Sequence, residues 1–404
     1  MTLPHIAAEA WLIPLVAALI GWGTNWLAIT LSLRPVSFVG VNRWLGWQGV
    51  IPRKAERMAH ICIDGTLQRL GNLHAVYERL DPELITGQVL ARVTPHLDDY
   101  IDDVMYELHP VLWDNLPLRM RRRIYRWAEQ RLPERVEAMV DDFGQELGDL
   151  VDLKALISEE LAERPEFMNE VFQEAGEAQF RFVIRAGGGF GGLLGVGVMA
   201  AWLLNPAPFV LILGGLAVGF VTNWLALNVI FRPLEERRVL GVPIQGLFLR
   251  RQPEISHVWA RKVAMELLTV EKVAHAMVHG SKAARTRAII QKHLRPLLDQ
   301  STVMRLTAQL TVGASGYTEL KRAMNERALT ATDEAFHNRD FNQDRAEVIA
   351  AMIEERIAAL PPRAFQDILR PAFQEEEFWL MLAGGAAGAL AGAIQVLLMA
   401  GLSG

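Results

Sequence analysis

Two Thr-Asn pairs are the residues of this chain best placed to do chemistry. Thr24-Asn25 and Thr222-Asn223 each lie inside a long apolar run, at the head of the repeated pentad Thr-Asn-Trp-Leu-Ala. An amide in hydrocarbon must find a hydrogen-bond partner, and interhelical bonds of this kind contribute roughly 0.6–2 kcal/mol. Such residues either pin helices together or line a path for a solute or ion. Packing is the favoured role, because both residue types are neutral and no Asp, Glu or Lys lies deep in any apolar run. Gln395, the one strongly polar side chain of the last run, is a further intramembrane candidate.

The remaining chemistry-bearing clusters point away from catalysis. His275 and His279 share a face if their segment is helical, but Ala276-Met277-Val278 lacks the glutamate of a zinc-hydrolase helix, so no metal site is expected. Asp98-Asp99 and Asp102-Asp103 offer carboxylates to a hard cation, yet their spacing is not that of a calcium loop, and a solvated helix face is expected. Arg121-Arg122-Arg123 with Arg126 suits an exposed face, or anionic headgroups at about 1 kcal/mol per residue. Gly187-x-Gly189-x-x-Gly192 spells a dinucleotide fingerprint without the required strand before it or acidic residue after it. The single cysteine, Cys62, excludes intrachain disulfides. The expectation is therefore no enzyme, no cofactor and no metal. A net charge of -5 gives no support to nucleic-acid binding.

The elements that must position these residues are apolar spans alternating with charged helical blocks. The runs 11–33, 186–204, 209–231 and 378–399 are predicted transmembrane helices. A helix of about 20 residues crosses the roughly 30 Å of bilayer hydrocarbon. Residues 34–182 and 232–376 are expected to form an apolar interfacial loop followed by a helical domain, one in each half. The first loop (36–51) carries Trp44 and Trp47, which suit the headgroup region. In the charged block behind it, Leu147, Leu150, Val151, Leu153, Leu156, Ile157 and Leu161 recur at helical spacing.

Basic residues follow the first and third spans: Arg34, Arg43, Arg53, Lys54 and Arg57, then Arg232, Arg237, Arg238, Arg250 and Arg251. The positive-inside rule puts both charged blocks in the cytosol and both termini outside. A cleaved signal peptide would need its bases before the apolar run.

Self-similarity runs through the chain. The pentads are 198 positions apart; Gln48-Gly49 and Gln245-Gly246 are 197 apart. Gly187, Gly191 and Gly195 stand at the same offset of 197 from Gly384, Gly388 and Gly392. Glycines four apart let helix backbones approach closely in lipid, so these six are expected at helix contacts. Each half thus has an opening span, a loop, a helical block and a closing span, a tandem parallel repeat.

The Gly-x-x-Thr-Asn-x-Leu-Ala segment running into Arg-Pro, then Gly49-Val-Ile-Pro-Arg53, and the late Ile368-Leu-Arg-Pro371 before a Gly-rich last span resemble one family, the domain of unknown function 445 family of bacterial membrane proteins (YheB/YjiN-like). The second half departs from it, reading Gly246-Leu-Phe-Leu-Arg250 without the proline. The resemblance implies a multi-pass protein of the bacterial inner membrane and supplies no activity. The overall expectation is an all-α polytopic membrane protein with two cytosolic helical domains. Its expected role is a scaffold that binds membrane lipids or a cytosolic protein partner, as a homo-oligomer. The alternative is a transporter or channel with a Thr-Asn path at the repeat axis.

Overall fold

A computed structural model of the chain describes residues 10–41, 46–57, 73–108, 110–164, 166–239, 242–299, 313–369 and 377–402. Trp44, Cys62 and the Arg370-Pro371 pair lie outside these residues. In chain order the first part holds α1 (Leu12–Leu33), the strands β1 (Val39–Gly40) and β2 (Gly46–Trp47), then α2 (Leu73–Arg79), α3 (Pro82–Val93), α4 (Leu97–Leu108) and α5 (Pro110–Asn115). Next come α6 (Leu118–Gln145), α7 (Leu147–Leu150), α8 (Leu153–Glu163), α9 (Phe167–Leu204) and α10 (Pro208–Phe231). The last part holds β3 (Arg237–Val239), β4 (Val242–Ile244), α11 (Leu247–Arg250), α12 (Gln252–Lys262), α13 (Val270–His279), α14 (Ala283–Asp299), α15 (Gly313–Ala335), α16 (Arg339–Ala358), α17 (Pro362–Leu369) and α18 (Glu377–Leu402).

Four of these helices are long and apolar enough to cross a membrane: α1, α9, α10 and α18. They cover the four predicted spans, except that α1 begins one residue later, at Leu12. The second is longer than its apolar run, because no proline interrupts Phe167–Leu204 and the helix continues through the charged stretch before Ala186. Helices α1 and α10 stop in the same way. Arg34 and Arg232 are extended, at φ -136° and -134°, as expected of a residue that precedes proline. Both Arg-Pro bonds are cis.

Each loop after these stops, where the sequence predicts an apolar interfacial loop, is a small antiparallel hairpin. Val39 pairs with Trp47 and Gly40 with Gly46; Arg237, Arg238 and Val239 pair with Ile244, Pro243 and Val242. The hairpins are closed alike. Gly49 N donates to Pro35 O at 2.9 Å and Gly246 N to Pro233 O at 3.0 Å. Gln48 Nε2 donates to Val36 O, and Gln245 Nε2 to Leu234 O.

The chain divides into two compact units. The first comprises 1–65, 161–259 and 356–404; the second comprises 66–160 and 260–355. In the first, α1 packs along α9 and α10 along α18. Large apolar side chains such as Leu19, Trp26, Leu193, Leu213, Leu390 and Leu397 point outward from these helices, as helices in contact with lipid present them.

The second unit draws on both of the helical blocks expected within 34–182 and 232–376. Phe143, Leu150 and Val151 from the first stretch share a core with Met277, Val278, Ile289, Ile290 and Leu329 from the second. The reason is physical: each block alone presents apolar faces it cannot cover, and the two blocks cover one another.

Candidate functional site

The Thr-Asn pairs meet at the centre of the first unit. Asn25 Nδ2 donates to Val183 O on α9 at 2.9 Å, and Asn223 Nδ2 donates to Leu380 O on α18 at 2.8 Å. Each opening helix is thereby fastened to the closing helix of its own half. Thr222 Oγ1 donates to Val218 O at 2.7 Å, and the Thr24 and Thr222 hydroxyls lie 3.5 Å apart. All four side chains are buried. The nitrogen half of each amide therefore packs helices. The oxygen half does not: Asn25 Oδ1 and Asn223 Oδ1 are sealed from solvent without a hydrogen-bond partner. Both asparagines line one cavity of about 30 Å³, together with Ser32, Phe180 and Leu227 among others. A water needs at least about 10–15 Å³ and two or more polar partners, so this cavity has room for one.

The six predicted glycines all lie at helix contacts. A Cβ on Gly187 would come within 2.5 Å of Gly21 O, and one on Gly384 within 2.8 Å of Gly219 O. Gly191 and Gly195 meet Ala17 and Pro14, while Gly388 and Gly392 meet Gly215 and Leu211. The close approach is what brings each asparagine within reach of a carbonyl on the neighbouring helix. On the receiving helices α1 and α10 the contacts fall on Gly21 and Gly219, which open the Gly-x-x-Thr-Asn segment of each half, and on Gly215, which no motif marked.

Gln395 sits apart from the asparagines. It is 7% exposed, its Nε2 has no partner, and with Thr24 it lines a groove of about 370 Å³ between α1 and α18. The groove is lined by the opening helix of the first half and the closing helix of the second. Ala387 and Ala391 line it on α18, whereas the positions 197 earlier on α9 are Phe190 and Leu194.

The second unit holds a different kind of site. Two apolar cavities, of about 150 and 120 Å³, abut at Val89, Met139 and Thr332, which line both. The first is walled by Val93, Ile101, Ile124, Trp127, Leu294 and Met324 among others; the second by Val76, Phe143, Val273, Ala274, Met277 and Met352 among others. Native interiors hold few voids larger than a water. Both cavities open partly to the surface. Nothing in the sequence announced them, because they arise where the two distant blocks meet.

The charged clusters are mostly structural. Asp102 Oδ1 accepts from Trp113 Nε1 at 3.0 Å and from the Tyr125 hydroxyl; Asp103 pairs with Arg327 at 3.0 Å. Burial, followed by the charge of Asp102, raises the Asp98 carboxyl above its usual range. Arg121 lies over the Trp113 ring and donates to Trp113 O, while Arg122, Arg123 and Arg126 stay exposed. His275 and His279 are joined by Asp333, a residue the sequence reading did not connect to them.

Over 155 residues the chain is 27% identical to the UPF0754 membrane protein YheB of Bacillus subtilis (strain 168), a match covering 37% of this chain and 40% of that protein. Over 105 residues it is 30% identical to a UPF0754 membrane protein of Synechococcus sp. (strain JA-3-3Ab), covering 25% of each. The chain resembles the YheB-like bacterial membrane proteins. The matched segments span less than half the length of these relatives. No family model and no solved structure matches the chain. With four apolar helices of spanning length, the likeness to YheB-like proteins places this chain in a membrane.

Proposed function

We propose that this protein is a lipid-binding platform of the bacterial inner membrane. In this reading a tandem parallel repeat of four helices holds it in the bilayer with both termini outside. The helical unit built from both halves stands in the cytosol and takes the acyl chain of a lipid. The protein works by binding, without catalysis, and the same unit offers a surface to a protein partner or a second copy of the chain. The observation that carries the reading is the pair of abutting apolar cavities. Their walls offer an aliphatic chain dispersion contacts and offer a polar solute almost nothing to bond.

The test is to purify the full chain gently, extract and identify bound lipid by mass spectrometry, and repeat with Ala328→Phe and Ala274→Leu, which fill one cavity each. The expected result is stoichiometric lipid on the wild type, reduced in each variant while the melting temperature holds or rises. Lipid retained unchanged by both folded variants overturns the reading.

A second reading, a polar path through the membrane unit, is favoured by one observation, the two unpartnered asparagine oxygens on a common cavity. A change from Asn25 and Asn223 to Ala that abolishes solute flux in vesicles, with assembly intact, would support it; unchanged flux would dismiss it.

A further inference from the structure

We propose that His275, His279 and Asp333 form a binding site for a divalent transition-metal cation of the zinc type. The site lies on the seam between α13 and α15 in the second unit. His275 and His279 are one turn apart on α13, with ring centroids 4.4 Å apart. Asp333 lies near the end of α15 and faces both rings with one carboxylate. Its Oδ1 is 3.2 Å from His275 Nδ1 and its Oδ2 is 3.6 Å from His279 Nε2. The three donor atoms all lie within 4.8 Å of one another. Around a tetrahedral ion with bonds of about 2.0–2.2 Å, donor atoms stand roughly 3.3 Å apart. Contraction to that spacing needs only side-chain rotation, and both imidazoles are more than half exposed and able to turn. Asp333, at 21% exposed, is the fixed member.

The donor set selects the ligand class. Two imidazoles with one carboxylate suit zinc, copper, nickel or iron, and leave positions open for water. Magnesium and calcium prefer all-oxygen sites. A lone ion pair would need one histidine for this carboxylate; here two are set against it. A further carboxylate on the same seam, Glu271, stands 3.6 Å from His337 and adds negative charge along it. The placement also gives the metal something to do. α13 supplies Val273, Ala274 and Met277 to the smaller apolar cavity, and α15 supplies Thr332 to both cavities. A cation held by both helices staples together two walls of these cavities from outside.

The test uses the full chain in detergent, stripped with a chelator and titrated with Zn²⁺ alone. Bound zinc is measured by equilibrium dialysis and elemental mass spectrometry. The wild type should hold one zinc per chain that His279→Ala and Asp333→Asn each weaken by at least about tenfold. Zinc should also slow amide exchange across Val270–His279 in the wild type and not in His279→Ala. Melting of the zinc-free variants confirms that the fold is intact. A double variant, His275→Ala with His279→Ala, that binds zinc as the wild type does would overturn the site. So would a wild type that binds none below millimolar concentration.

Discussion

Replacing Gly388 with alanine tests directly whether backbone contact sets the helix spacing. A Cβ there would stand 2.9 Å from the carbonyl carbon of Gly215 and 3.3 Å from Gly219 Cα, and closer still to Gly215 O. All three are main-chain atoms of α10, so no rotamer change relieves the overlap and the helices must part. Overpacking of this kind costs about 1–3 kcal/mol. Alanine recovers up to about 1 kcal/mol of helix propensity over glycine, leaving a net loss of roughly 0–2 kcal/mol. Gly197 is the control, because a Cβ there meets nothing within 4 Å, and Gly197→Ala should be neutral or mildly stabilising. Reversible unfolding in mixed detergent micelles reads the difference. The Gly191→Ala change on the other helix pair, where Ala17 O is the obstacle, should add to Gly388→Ala nearly independently. If Gly388→Ala and Gly197→Ala prove equally stable, the helices are not in backbone contact and the reasoning fails.

Three more outcomes are expected. The Tyr77 hydroxyl donates to Val140 O at 2.7 Å and burial, then the charge of Asp141, raises its pKa well above the usual tyrosine range; Tyr77→Phe should cost about 0.5–1.5 kcal/mol in chemical denaturation. Asp142 accepts from Lys292 at 2.6 Å and from His293 at 2.8 Å, and these bonds, Lys292 first, hold its carboxyl below the ordinary 3.8 despite burial. A depressed carboxylate stabilises the fold above its unfolded pKa, and the contribution drains away as pH falls through the folded value. Thermal melts of Asp142→Asn should therefore lose stability at neutral pH and show a flatter acid limb below about pH 4. For orientation, in a chain without Cys62, a cysteine at exposed Asn205 should react with an impermeant maleimide from the periplasmic side, and one at exposed Asp152 should not; the reverse pattern would invert the proposed topology.

The four spans were legible in the sequence because a bilayer imposes a length and a polarity that a single run of residues must satisfy alone. The Thr-Asn pairs and the glycines were legible for the same reason, since any such residue in hydrocarbon stands out. Their partners were not. Val183 O and Leu380 O are main-chain atoms about 157 positions from the asparagines they serve, and no side-chain pattern marks a carbonyl. The hairpins escaped because strands of two or three residues carry no usable alternation. The shared core escaped because amphipathic spacing tells which face of Leu147–Leu161 is buried, without naming Met277 or Ile290 as what buries it. Asp333, 58 positions from His275, was missed for the same reason.

The discontinuity of the second unit has a consequence for biosynthesis. Its first part ends at Glu160 and its second begins at Ala260, with two spans between them. At about 5–20 residues per second of translation, the helices before Glu160 wait roughly 5–20 s before their complement begins to be made. During that interval Phe143, Leu150 and Val151 lack Met277, Val278, Ile289, Ile290 and Leu329, their partners from the second part. Closure comes only after α9 and α10 have been synthesised. A nascent chain stalled before Ala260 should therefore present apolar surface of the kind that chaperones recognise.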